Sequence, residues 1–195
     1  MSRTITTTLL GLLLLSLGAC QNDLNNWKDY YAYLHAPENG LIKEKTIGDM
    51  KFTMQYWPAA MRSQEQPNPE QEEDSWTFLL KIEASEQAAQ PFDVMTETVS
   101  SLEEFQEQTL ALNFDWQKWI YLQVKDKKVA PVLAVLENTY GLQQHRVVNL
   151  VFAKEERAVP QQLDLVFEDA IFGTGKHHFL FQTQDLEAIP ALALP

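Results

Sequence analysis

Acids are the most abundant reactive side chains of this sequence: Asp and Glu number 27 against 15 Lys and Arg, with four His and a single Cys. Two carboxylates flanking a glycosidic or acyl bond can share general-acid and general-base work when they lie ~5 to 9.5 Å apart and one is kept protonated. Glu168 and Asp169 follow the apolar run Leu163 to Phe167 and are the acids best placed for that role, although most acids in such a position simply close a strand. A serine hydrolase would need a nucleophile on a Gly-flanked elbow, and no G-x-S-x-G occurs. His177 and His178 are adjacent, so in a strand they point to opposite faces and cannot both hold one ion without a bulge. His35 and His145 lie far from them in sequence. Neither a metal site nor a cofactor is therefore expected. Gly173, Thr174, Gly175 and Lys176 resemble the end of a phosphate loop, but Ala170 and His177 stand where that motif needs Gly and Ser or Thr. A hairpin turn is the simpler reading.

Trp116, Trp119 and Tyr121 form the densest aromatic patch. Exposed, such rings stack on sugars or grip a protein partner, because they give large contact area at low entropy cost. Buried, they are core. A strand from Lys118 to Val124 would put Trp119 and Tyr121 on one face.

The lone cysteine, Cys20, closes the run Leu17, Gly18, Ala19, Cys20 behind an apolar segment from Leu9 to Leu17 and a single Arg3. That segment is about half the ~20 residues needed to span a bilayer, so it reads as a removed signal rather than a membrane helix. The pattern resembles the lipobox of bacterial lipoprotein precursors, and the chain is similar to the small envelope lipoproteins common in Bacteroidota, a group without an assigned reaction. The resemblance implies that residues 1–19 are a signal peptide and that Cys20 becomes the mature amino terminus. It would carry a thioether-linked diacylglycerol and an acylated amine, palmitate among the expected acyl groups. Two or three acyl chains at ~0.8 kcal/mol per buried methylene anchor a domain permanently. Gln21, rather than Asp, after the cysteine points to the outer membrane within that resemblance.

A formal charge of −12 repels phosphate backbones, so nucleic acid is not an expected partner. With Cys20 acylated, no intrachain disulfide remains, and stability must come from packing. Leu24, Trp27, Tyr30, Tyr31 and Leu34 recur at helical spacing, and Pro37 to Gly40 reads as a turn. Residues 20–45 are thus expected to be a lipidated segment with a short helix. Residues 46–195 are expected to form the folded domain. In it, Met50 to Tyr56 alternates as a strand and so does Trp76 to Ile82, on either side of a Pro-containing acidic loop at 62–75. That loop lacks the EF-hand arrangement of ligands. Ser101 and Glu104 make a capping box for a helix over 101–113. Further strands are expected at 118–124, 130–136, 147–152, 163–167 and 178–181, and the tail from Ile189 to Leu192 is expected to cap an edge.

Seven or so strands without a recurrent helix between them predict a mainly β protein, an antiparallel β-sandwich, immunoglobulin-like in outline, with a short N-terminal helix and one inserted helix. The cysteine pair of antibody domains is absent. The function expected is that of a lipid-anchored, non-catalytic binding or assembly module that meets the membrane through its lipid and contacts another envelope protein or a glycan. The alternative is an envelope hydrolase acting on glycan or peptide through paired carboxylates. A contiguous exposed apolar patch would favour the first, and converging acids with one raised pKa the second.

Overall fold

The computed structural model describes residues 24–61, 74–154 and 160–192. Cys20, the signal segment and residues 62–73 of the acidic loop lie outside these. The chain is mainly β, and its described residues form two antiparallel sheets and four α-helices. The elements are α1 (Trp27–His35), β1 (Ile42–Ile47), β2 (Met50–Tyr56), β3 (Ser75–Ala84), α2 (Leu102–Phe114), α3 (Trp116–Trp119), β4 (Ile120–Val124), β5 (Lys127–Val129), β6 (Leu133–Leu136), β7 (Arg146–Ala153), β8 (Gln162–Glu168), β9 (Lys176–Gln182) and α4 (Thr183–Glu187). One sheet has the order β1-β2-β3-β7-β6 and the other β5-β4-β8-β9.

Alternation of side chains builds the core between the sheets. Phe52, Met54, Phe78, Leu80, Val148, Leu150 and Phe152 of the first sheet face Ile120, Leu165, Phe167, Phe179 and Phe181 of the second, all buried. Phe52 and Phe167 meet at 5.6 Å between ring centroids, and Phe78 and Phe181 at 5.0 Å. The inserted helix forms as its capping box predicts: Glu104 N–H donates to Ser101 Oγ at 3.1 Å, and Glu104 reaches back to Ser100 N–H at 2.7 Å. Leu112 anchors it in the core.

Helix α1 starts three residues later than its apolar spacing suggests, because Asn26 is the better cap and accepts from Asp29 N–H at 2.8 Å. Tyr30 and Leu34 enter the common core, and β1 joins the first sheet, so a division at residue 45 does not separate two folding units. The expected strand 118–124 begins only at Ile120; its first residues complete the one-turn helix α3. The expected strand 130–136 shortens to β6, and β5 forms before it at Lys127–Val129; Pro131, which has no N–H for a ladder, stands between the two. The tail pairs not with a sheet edge but with the segment before α1, through an isolated parallel bridge from Leu192 to Leu24.

Register gives the sandwich two distinct ends. At one end lie α1, the start of β1, Tyr56, α4 and the Leu24–Leu192 bridge. The opposite end carries the Ile47–Met50 turn, the β6–β7 loop and the β8–β9 loop.

Candidate functional site

Four positions concentrate chemistry or exposed apolar surface. On the outer face of the second sheet, Glu168 Oε1 accepts from Tyr121 Oη at 2.6 Å and from Lys128 and Lys176 Nζ, each at 3.1 Å. The hydrogen bond from Tyr121 and those from the two lysines hold the Glu168 carboxyl down at about 2. The Lys128 ammonium stands 4.2 Å from the Tyr121 ring centroid, and that of Lys176 5.7 Å. Their stems and heads account for the burial of Tyr121 on a face that strand parity points outward.

Asp169 opens the β8–β9 loop as a backbone cap. Its Oδ1 accepts from Ile171 and Phe172 N–H at 2.9 and 2.8 Å, and its Oδ2 from Thr174 N–H at 2.7 Å and the Thr174 hydroxyl at 2.5 Å. The Thr174 oxygen also lies 2.8 Å from His177 Nε2. Its one proton goes to the carboxylate, which assigns the Nε2 hydrogen to His177 as donor. Burial lowers the His177 pKa, and the ring stacks on Phe52 with centroids 5.1 Å apart. Gly173 and Gly175 take φ of 69° and 86°, the left-handed values that this hairpin requires. Acid, hydroxyl and imidazole thus form a latch facing the core, with the hydroxyl proton held by the acid rather than offered to the imidazole.

The expected acid pair is therefore fully committed. A general acid needs a raised pKa, whereas the described carboxylates that depart from their ordinary value, Glu104 and Glu168, are both held down. His177 and His178 do face opposite ways: His177 is buried, and exposed His178 pairs with Asp164 at 2.9 Å. Among the described residues no three His, Cys, Asp or Glu side chains converge.

Of the aromatic patch, Trp116 and Tyr121 are 1% and 4% exposed and Trp119 packs half-buried against the core. This corrects their reading as a binding platform. Trp116 sits edge-on to Trp119 at 5.6 Å and lies 6.1 Å from Phe167, so α3 plugs one end of the sandwich. Cys20 falls outside the described residues.

Large apolar side chains are exposed elsewhere: Trp27 and Tyr31 on α1, Leu102, Leu110 and Phe114 on α2, Leu180 on β9, and a run on β6 and the loop after it. Val132, Leu133, Val135, Tyr140 and Leu142 are all large and exposed, the last two at 82% and 86%. Leu133 and Val135 share the outer side of an edge strand whose Ala134 and Leu136 pack inward. The loop tip is held in one shape. Tyr140 has φ 50° and Gly141 φ 73°, Tyr140 N–H donates to Asn138 Oδ1 at 3.0 Å, and Leu142 N–H to Thr139 O at 2.9 Å. Arg146, buried at the foot of the loop, donates to the Gln143 and His145 carbonyls and to both Asp93 oxygens, at 2.9 and 3.2 Å. The sequence alone does not show this surface, since five apolar residues over 132–142 look the same whether they face a core or solvent.

Compared with known proteins, the chain matches no family model, no curated protein and no solved structure.

Proposed function

We propose that the chain is a lipid-anchored, non-catalytic binding or assembly module of a bacterial cell envelope, held at the outer membrane through acylated Cys20. One observation carries the binding part: five large apolar side chains exposed between residues 132 and 142, on an edge strand and the hydrogen-bonded loop tip after it. Water-exposed apolar side chains on one hairpin are the raw material of a protein contact. The tip is preorganised by Asn138 and Arg146, so binding would cost little ordering entropy. That chemistry favours another envelope protein over a glycan, whose recognition needs converging polar groups. The committed state of Glu168 and Asp169 weighs against carboxylate hydrolysis. The immunoglobulin-like outline belongs to the same reading. The order β2-β3-β7-β6 against β5-β4-β8-β9, with β1 as an added edge strand, supports that part of the reading.

Photo-cross-linking in intact cells tests the reading. A photoreactive residue at position 135 or 142 is expected to give a discrete adduct absent from one at Thr46, on the opposite edge strand. Equal or absent adducts at all three positions would overturn the binding assignment. The anchor is read separately: the mature protein should carry a diacylglyceryl mass on Cys20 and accumulate as precursor under globomycin. An unmodified thiol removes that part.

A further inference from the structure

We propose that one face of α1, carrying Trp27, Tyr31 and His35, is a membrane-contacting surface that seats the domain on the lipid headgroup layer. The inference rests on acylation of Cys20. Trp27 and Tyr31 are 41% and 49% exposed at i and i+4, in a row that flanks the buried Tyr30 and Leu34. His35 extends the row by stacking on Tyr31 with centroids 3.9 Å apart. Amphipathic rings of this kind partition to the water–hydrocarbon boundary, where the ring is desolvated and its polar edge stays wet.

What the face meets is set by the length of the tether. The described chain begins at Leu24, whose N–H donates to Ala191 O at 3.0 Å and whose backbone bridges to Leu192. From Leu24 the position is fixed: Asn26 caps α1 at once, with no flexible stretch between. Only four residue steps separate Leu24 from Cys20, and even fully extended they span at most about 14 Å. The interfacial layer on one side of a bilayer is about 5–8 Å deep. A sulfur held at the acyl boundary therefore keeps the first turn of α1 within one or two side-chain lengths of the headgroups. A row of exposed rings on the element nearest the anchor is then covered by lipid and not by a soluble partner. The −12 charge favours a zwitterionic surface for this contact.

The test uses acylated protein purified from membranes and reconstituted into phosphatidylcholine vesicles or vesicles of dibrominated phosphatidylcholine, with tryptophan emission as the readout. Wild type is expected to lose emission in the brominated lipid. Trp27→Phe should show at least about a twofold smaller loss, since it removes the ring nearest the bromines. Tyr31→Ser keeps Trp27 and should also reduce the loss, by weakening the seating. Near-ultraviolet circular dichroism shows whether either variant keeps its packed core. Intact mass on the same samples separates the two readings. Acylated wild type without quenching, or Trp27→Phe quenched as strongly as wild type, overturns the docking face while the anchor stands. An unmodified Cys20 overturns both.

Discussion

Arg146 carries a full charge into the foot of the β6–β7 loop while 7% exposed, and the bidentate contact with Asp93 compensates it. Removing one member of such a pair leaves the other charged and dry. Asp93→Ala is expected to lower stability by about 2–3 kcal/mol, below the full cost of a sealed pair because Asp93 keeps solvent contact. Urea denaturation measures this, and the variant should bring faster proteolysis near Tyr140, since the same guanidinium pins the Gln143 and His145 carbonyls. His177 supplies a pH dependence. Burial lowers its pKa from 6.5, the Asp169 charge opposes that, and Lys45 and His178 add to it. With the folded value below the unfolded one, the contribution is complete above pH 6.5 and is lost as pH falls below it, where the unfolded chain takes up a proton that the folded core resists. His177→Phe keeps a ring against Phe52 and should flatten the fall in urea midpoint across that window. A variant as steep as wild type would reassign the step to His145, which burial also holds down.

Elements whose local chemistry is self-sufficient were legible in the sequence, and those defined by neighbours were not. Helix α2 announces itself through Ser101 and Glu104, and β2 through strict alternation, which β3 and β9 follow except at the apolar Leu79 and Leu180. β1 did not: Ile42–Ile47 has four charged or polar residues in its middle and is a strand because β2 offers it an edge. For the same reason Trp119 looked like a strand residue, when the turn of α3 is imposed by the fit of Trp116 into the core. Glu168 and Asp169 were recognisable as strand-end acids, but their partners, Lys128 some 40 residues away and Thr174 within the loop, are fixed only by sheet register and the shape of the turn. Two substitutions probe the local determinants. Ser101→Ala should cost about 1 kcal/mol by leaving the Glu104 N–H without its cap. Gly40→Ala should cost at least about 1 kcal/mol, because φ is 72° there and a β-carbon would stand 2.5 Å from Asp185 Oδ2. Thermal denaturation reads both; a neutral Gly40→Ala would mean that the turn between α1 and β1 relaxes without disturbing α4.

At the scale of the whole molecule, the two ends of the sandwich divide the proposed labour. α1 and the Leu24–Leu192 bridge occupy one end, and the Tyr140–Leu142 tip projects at the other. With Cys20 acylated as proposed, the four residue steps from Cys20 to Leu24 would give that polarity a meaning, since they would hold one end near the bilayer and turn the other away. Lengthening the tether is the decisive perturbation, because it changes no residue of the fold. Ten Gly and Ser residues inserted between Cys20 and Leu24 would lower the effective concentration of the α1 face at the surface, which falls roughly as the −3/2 power of linker length. Membrane retention should be unchanged, because the acyl chains alone provide it. Quenching of Trp27 by brominated lipid should fall, and photo-adducts from position 142 should broaden from one discrete species to several as the tip loses its fixed direction. Quenching that survives the insertion at full strength would show that the aromatic row binds lipid by its own affinity, and that the short tether contributes nothing to the orientation of the domain.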